Sequence, residues 1–105
     1  MKYEIREYME GGSSPFHRWM KGLDGATKAR VYRQLVRMEN GNLGDSKAVG
    51  EGVQELRMHF GAGYRIYYRR DGKTIIILLG GGSKRKQAAD IKAAKACWAK
   101  YRKAG

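Results

Sequence analysis

Four residues between Gln54 and Gln87 have the chemistry to work on a phosphodiester: Arg57, His59, Arg65 and Tyr67. Arginines neutralise a phosphate and stabilise the charge that builds on it during cleavage, and a histidine takes up a proton near neutral pH. A tyrosine hydroxyl donates a proton, or its ring stacks on a base. Their spacing is that of strands. Along Glu55 to Phe60, Leu56, Met58 and Phe60 fall on one face while Glu55, Arg57 and His59 fall on the other. In the next run Tyr64, Ile66 and Tyr68 oppose Arg65, Tyr67 and Arg69. The charged faces of both runs are therefore expected to form one surface. Lys84, Arg85 and Lys86 follow the triplet Gly80-Gly81-Gly82, read as a loop between a buried strand and a helix, where free backbone N–H groups favour an anion. The Gly-x4-Gly-Lys-Ser/Thr order of an ATP-binding loop is missing. Arg69, beside the hairpin turn Asp71-Gly72, also reads as ordinary solvated charge, and Tyr64 and Tyr68 as core.

These residues need a scaffold, and the apolar pattern supplies one. Lys2 to Tyr8 alternates as a half-buried strand that Gly11-Gly12 ends. Ser13 or Ser14 then caps a short helix with Pro15 in its first turn and Phe16, Trp19, Met20 and Leu23 on its buried side. Asp24 or Thr27 opens a second helix. Val31, Leu35 and Met38 form its apolar stripe, Lys28, Arg30, Arg33 and Arg37 are expected in water, and Gly41 stops it. Asn40 to Gly52 reads as a surface loop. Ile75 to Leu79 is a continuous apolar run, as in an inner strand covered on both faces. A last helix buries Ile91, Ala94, Trp98 and Tyr101 and exposes Lys92, Lys100 and Lys103.

At 105 residues the chain is expected to be a single domain spanning residues 1–105, with one modest core. Its 22 Lys and Arg against 10 Asp and Glu give a formal charge of +12, which favours a polyanionic partner such as nucleic acid. The single Cys97 excludes an internal disulfide and has no Cys or His neighbour at zinc-ligand spacing. The carboxylates Glu39, Asp45, Glu51, Glu55, Asp71 and Asp90 lack the paired spacing of a two-metal nuclease, so no metal or other cofactor is expected. The longest apolar run is too short for a membrane helix, and a cytoplasmic protein is expected.

Three segments together resemble a known family: FHRWMKGLD, GNLGDSKAVGEGVQELRMHFGAGYRIYY and ILLGGGSKRKQAADIKAAKACWAKY. The chain is similar to the RelE/ParE superfamily of toxin–antitoxin toxins, in particular to its HigB-like addiction module killer proteins. The resemblance implies a compact α+β fold: an N-terminal strand, two helices, an antiparallel sheet of three further strands and a C-terminal helix. It implies a type II toxin, either a ribosome-dependent mRNA endoribonuclease that drives the ribose 2′-OH onto the adjacent phosphate without metal, or a ParE-like poison of DNA gyrase. A basic RNA-binding protein without catalysis is the remaining alternative. The implied partners are mRNA, the ribosome and a cognate antitoxin of helix-turn-helix type.

Carried over residue by residue, the resemblance makes Arg65 the arginine set against the scissile phosphate, Arg57 a cation on the neighbouring strand, and Lys84 and Arg85 the basic pair after the last strand. Ile91 stands where RelE places a C-terminal tyrosine, which leaves His59 and Tyr67 as the available proton-transfer groups. Glu55 stands where some relatives carry a second lysine and is expected to weaken the local positive field. Arg69, Arg85 and Lys86 are the expected RNA contacts around this set. Arg65 itself is expected to be a cleft residue that the core does not need.

Overall fold

The structure, a computed structural model, describes residues 2–104. The element order is β1 (Glu4–Glu7), α1 (Pro15–Lys21), α2 (Gly25–Glu39), β2 (Asp45–Gly50), β3 (Val53–Arg57), β4 (Arg65–Asp71), β5 (Ile75–Gly82), a 3₁₀ turn over Lys84–Lys86, and α3 (Gln87–Ala104). The five strands form one mixed sheet in the order β1-β5-β4-β3-β2. Only β1 lies parallel to its neighbour β5, and the other pairings are antiparallel. The α+β class and the helix order agree with the sequence reading. The sheet has four strands after the first rather than three, and β1 adds a parallel edge.

The extra strand is β2, inside the segment expected to be a loop. It sits at the sheet edge, and only Ser46 and Val49 are even partly covered. An edge strand with two inward side chains among glycines carries almost no apolar alternation, so its pairing with β3 decides its conformation. The β2–β3 reversal turns through Gly50-Glu51-Gly52, all three at positive φ.

Each face of the sheet has its own cover. On one face α1 and α2 bring Phe16, Met20, Val31 and Met38 against Leu56, Met58, Ile66, Tyr68, Ile76 and Leu78. On the other, α3 brings Ala94, Cys97 and Trp98 against Val53, Tyr67, Ile77 and Leu79. Coverage on both faces explains why Ile76 to Leu79 are buried in succession, as a doubly covered strand demands. The start of α1 follows its capping residues. Ser14 accepts the His17 backbone N–H at 3.0 Å and Pro15 occupies the first turn of α1, whereas Asp24 precedes α2 without a side-chain cap bond. Among the described residues no helix is long and apolar enough to cross a membrane.

The glycine triplet is part of β5, not a loop. A bulge at Leu79 lets Tyr67 pair with Gly80 and Tyr68 with Leu78, after which Gly81 faces the α1 side and Gly82 the α3 side. A methyl group on Gly81 would fall into the indole of Trp19, and one on Gly82 into the carboxylate of Asp90. These glycines permit close packing of α1 and α3 on the sheet, which removes the phosphate-cradle reading of the triplet. Gly81→Ala is therefore expected to cost about 1–3 kcal/mol through overpacking, read as a lower urea midpoint. An unchanged midpoint would show that Trp19 can move aside and that the close approach is not required.

Candidate nucleic-acid cleft

The β3–β4 end of the sheet is organised around a carboxylate. Glu55 is fully buried on the face covered by α3. Arg57 Nε donates to its Oε1 at 3.1 Å, and Oε2 accepts from Gln87 Nε2 at 2.9 Å and from the Tyr67 hydroxyl at 3.2 Å. Arg65 Nε completes the set as an ion-pair partner at 3.5 Å, too long for a hydrogen bond. The register accounts for this convergence. Glu55 pairs with Tyr67 and Arg57 with Arg65 across β3 and β4, so all four side chains share one face, and Gln87 reaches in from the first turn of α3. Burial pushes the Glu55 carboxyl toward its neutral form. The hydrogen bonds from Arg57 and Gln87, the charge of Arg65 and the Tyr67 hydroxyl outweigh burial and hold it below the ordinary carboxylate range.

Beyond Arg57 the chain leaves the sheet. Met58 N–H donates to the Tyr64 carbonyl at 2.9 Å and closes a loop over residues 58–64. At its far end Gly63, at φ 72°, turns its carbonyl to accept from Arg65 Nη1 at 3.0 Å. The loop borders an open cleft of about 450 Å³ lined by Arg57, His59, Tyr64, Arg65 and Lys84. Arg65 forms the floor, with 8 % of its side chain exposed, while Arg57 presents about a third of its surface. Lys84 is exposed, and its side chain makes no hydrogen bond or ion pair among the described residues. His59 lies at the rim, 72 % exposed, with Nε2 2.6 Å from Asp45 Oδ2. Asp45 arrives there because it starts β2 opposite Arg57, a neighbour that no loop reading of this segment would supply.

Arg57, His59, Arg65 and Lys84 thus converge, and the other residues expected at the site do not. Tyr67 is fully buried, and its hydroxyl donates to Glu55. Burial first and the Glu55 charge second push that hydroxyl far above the ordinary phenol range, so it is unavailable for proton exchange with a ligand in the cleft. Arg69 lies four residues along β4, at the opposite end, where it donates to the Gly52 carbonyl at 3.0 Å and stacks over Trp98 at 5.1 Å. Arg85 and Lys86 are exposed in the 3₁₀ turn without lining the cleft. The sequence reading gave no part in the site to Gln87, and it left Asp45 in the segment expected to be a loop. It also took Glu55 as a weakening of the positive field, whereas its charge is spent internally on arginine positioning. The signal for Glu55 was present, since its alternation places it with Arg57. Among the described residues no group of three or more His, Cys, Asp or Glu is placed to hold a metal.

Nor is Arg65 dispensable to the core. It is 7 % exposed, and its loss would leave Glu55 buried with one compensating charge fewer. The dependence on pH follows from the depressed Glu55 pKa. A carboxyl whose folded pKa is lowered contributes stability that is present above its unfolded value, near 4.5, and is lost as pH falls through the folded value. Glu55→Gln is expected to cost about 3 kcal/mol at neutral pH, because it strands Arg65, and to flatten the fall in stability between about pH 4.5 and more acid conditions. Denaturant titrations at stepped pH check both effects. An acid limb as steep as that of the parent protein would show that another carboxylate controls it.

Similarity to known proteins agrees with this architecture. Residues 18–101 match the family described as phage derived protein Gp49-like (DUF891). An uncharacterized protein of Haemophilus influenzae (strain ATCC 51907 / DSM 11121 / KW20 / Rd) is 41 % identical over 81 residues, covering 76 % of this chain and 82 % of that protein. A solved structure of the Escherichia coli toxin RelE, a double-arginine mutant in the free state, superposes with a TM-score of 0.67 over 91 % of this chain and 96 % of that one. At 15 % identity it shares the fold. With most of its length matched by that family and its fold laid out like that of RelE, the chain belongs to the phage-derived Gp49-like family.

Proposed function

We propose that this protein is the toxin of a type II toxin–antitoxin pair and cleaves mRNA on the ribosome by metal-independent attack of a ribose 2′-OH on the adjacent phosphate. The observation that carries the reading is the convergence of Arg57, Arg65, Lys84 and His59 on one open cleft, with the two arginines braced from behind by a buried carboxylate. The RelE-like fold supports it. In-line cleavage forms a 2′-O–P bond and breaks the P–O5′ bond, giving a 2′,3′-cyclic phosphate and a 5′-hydroxyl. The charge peaks on the phosphoryl oxygens in between, where fixed cations stabilise the transition state more than the ground state.

Each residue has a part that its environment suits. Arg65 and Arg57 hold the phosphate, and their rotamers are set before substrate arrives, which lowers the reorganisation needed during the reaction. Lys84 brings a third cation with uncommitted donors. His59 takes the 2′-OH proton through the ring nitrogen that Asp45 leaves free, Asp45 stabilises the imidazolium that results, and the leaving 5′-oxygen takes its proton from water in the open cleft. Tyr67 acts through Glu55 rather than on the substrate. A cognate antitoxin, of the helix-turn-helix type that the resemblance implies, neutralises the toxin by covering the cationic cleft. Acidic side chains suit that cleft as phosphates do, and an interface of about 1,200–2,000 Å² suffices for stable inhibition.

Lys84→Ala and His59→Gln remove exposed groups and are expected to keep the fold while lowering cleavage about a hundredfold each, or about 3 kcal/mol in the barrier. Arg65→Lys keeps a charge beside Glu55 and is expected to lose activity to a similar extent, because one ammonium cannot hold Gly63, Glu55 and a phosphate together. The measurement is mapping of mRNA 5′ ends after induced expression. Cuts phased with the reading frame that vanish in the variants are expected. Intact mRNA with DNA damage would replace this reading by gyrase poisoning. Coexpression of the neighbouring antitoxin gene is expected to restore growth and to yield a co-purifying complex. Growth arrest despite a soluble neighbour protein would remove the proposed pairing.

A further inference from the structure

Helix α2 carries arginines at 30, 33 and 37, a spacing that places them along one flank of the helix, about 4.5 and 6 Å apart in axial rise. The buried residues Val31, Gln34 and Met38 fix the rotation of α2, and the exposed arginine flank consequently borders the end of β3. Between them lies a second cleft, of about 490 Å³, lined by Arg30, Arg33, Arg37, Arg57, His59 and Phe60 together with Asp45. The two clefts adjoin. Arg57, Met58, His59 and Phe60 border both.

The charges in this second cleft are poorly answered. None of Arg30, Arg33 and Arg37 makes an ion pair among the described residues, and α2 carries no carboxylate one turn from any of them. The carboxylate that lines the cleft, Asp45, is engaged with His59. Arg30 lies over the Phe60 ring, its guanidinium carbon 4.0 Å from the ring centroid, which holds the guanidinium plane while leaving its N–H edge free for an anion. Like charges a turn apart destabilise a helix, so a row of them facing one groove has a physical rationale when a polyanion lies in that groove.

We propose that Arg30, Arg33 and Arg37 form a track for the RNA backbone that flanks the cleaved bond, running from the Arg65 floor past His59 and onto α2. The proposal rests on the reading of the Arg65 cleft as a phosphodiester site. In this arrangement Arg65 and Arg57 take the scissile phosphate and α2 takes neighbouring phosphates of the same strand, with Phe60 and Arg30 offering a flat surface at the corner where the strand turns. Contacts of this kind position the strand without reading its sequence, so the binding contributed by α2 is independent of base identity.

The test uses the full chain and a short, labelled 2′-O-methyl RNA oligonucleotide, which the proposed chemistry cannot cut, with binding followed by fluorescence anisotropy across a salt series. The slope of log K against log salt measures phosphate contacts, at about 0.7 per phosphate for a single strand. Arg33→Gln/Arg37→Gln is expected to weaken binding and to lower the slope by about 1.4, while Lys92→Gln/Lys103→Gln, which removes the same charge from exposed positions on α3, leaves the slope unchanged. Circular dichroism confirms that both variants are folded. An equal slope change in the α3 control would assign the effect to net charge and overturn the track. A slope insensitive to the α2 change but lowered by Arg57→Gln would overturn the track alone and leave the cleavage reading standing. If that insensitivity came with loss of antitoxin capture, the row would be reassigned to an acidic partner. Absence of salt-dependent binding by the parent protein would remove the track and the phosphate role of the Arg65 cleft together.

Discussion

A carboxylate with no access to water is the constraint on which the rest of this molecule depends. Desolvating an ion is costly, and Glu55 is tolerated because three hydrogen-bond donors and one ion-pair partner meet it: Arg57 on its own strand, Tyr67 on β4 and Gln87 on α3 as donors, and Arg65 on β4 as the paired charge. Satisfying that one group fixes the β3–β4 register, the seating of the first turn of α3 and the rotamers of two arginines at once. A long flexible cation ordinarily loses side-chain entropy when it grips a ligand. Here much of that entropy is lost on folding, and the cations reach the cleft already oriented.

The exposed half of the cleft is built differently. His59, Asp45 and Lys84 are exposed side chains, carried by the loop over residues 58–64, the edge strand β2 and the 3₁₀ turn. In the proposed reaction, the braced cations at the floor would stabilise charge and the exposed groups at the rim would handle the proton. Charge stabilisation requires a preorganised field, whereas a general base has only to come within hydrogen-bond reach of its proton. The same division accounts for Tyr67, which shares a face with the arginines yet belongs to the buried support.

The likeness to RelE at 15 % identity is a likeness of scaffold. A sheet covered by α1 and α2 on one face and α3 on the other can be filled by many sequences, and what an individual chain does depends on which groups stand at the open end of β3 and β4. An acid embedded among arginines, a His–Asp pair at the rim and an arginine-rich helix flank are the particular equipment of this chain at that end.

The sequence by itself determined the parts of the structure that follow from local periodicity. The Ser14 cap of α1, the apolar stripes of α1 and α2, the alternation that puts Arg57 with Arg65, and the doubly buried run of β5 were legible because each is a short-range pattern of apolar and polar residues. Tertiary structure decided the rest. β2 exists because β3 offers it a pairing edge, and only that pairing carries Asp45 to His59. The glycines at 81 and 82 carry no record in the sequence of the indole and the carboxylate that press against them. Alternation separates Tyr68, read as core, from Tyr67 on the charged face, and only the cover supplied by α3 buries Tyr67 as well. Arg30, Arg33 and Arg37 were read as solvated charge because a helix pattern reports which side is buried and not what stands beyond the opposite flank. Contacts between residues distant in sequence depend on how three layers stack, and no local pattern encodes them.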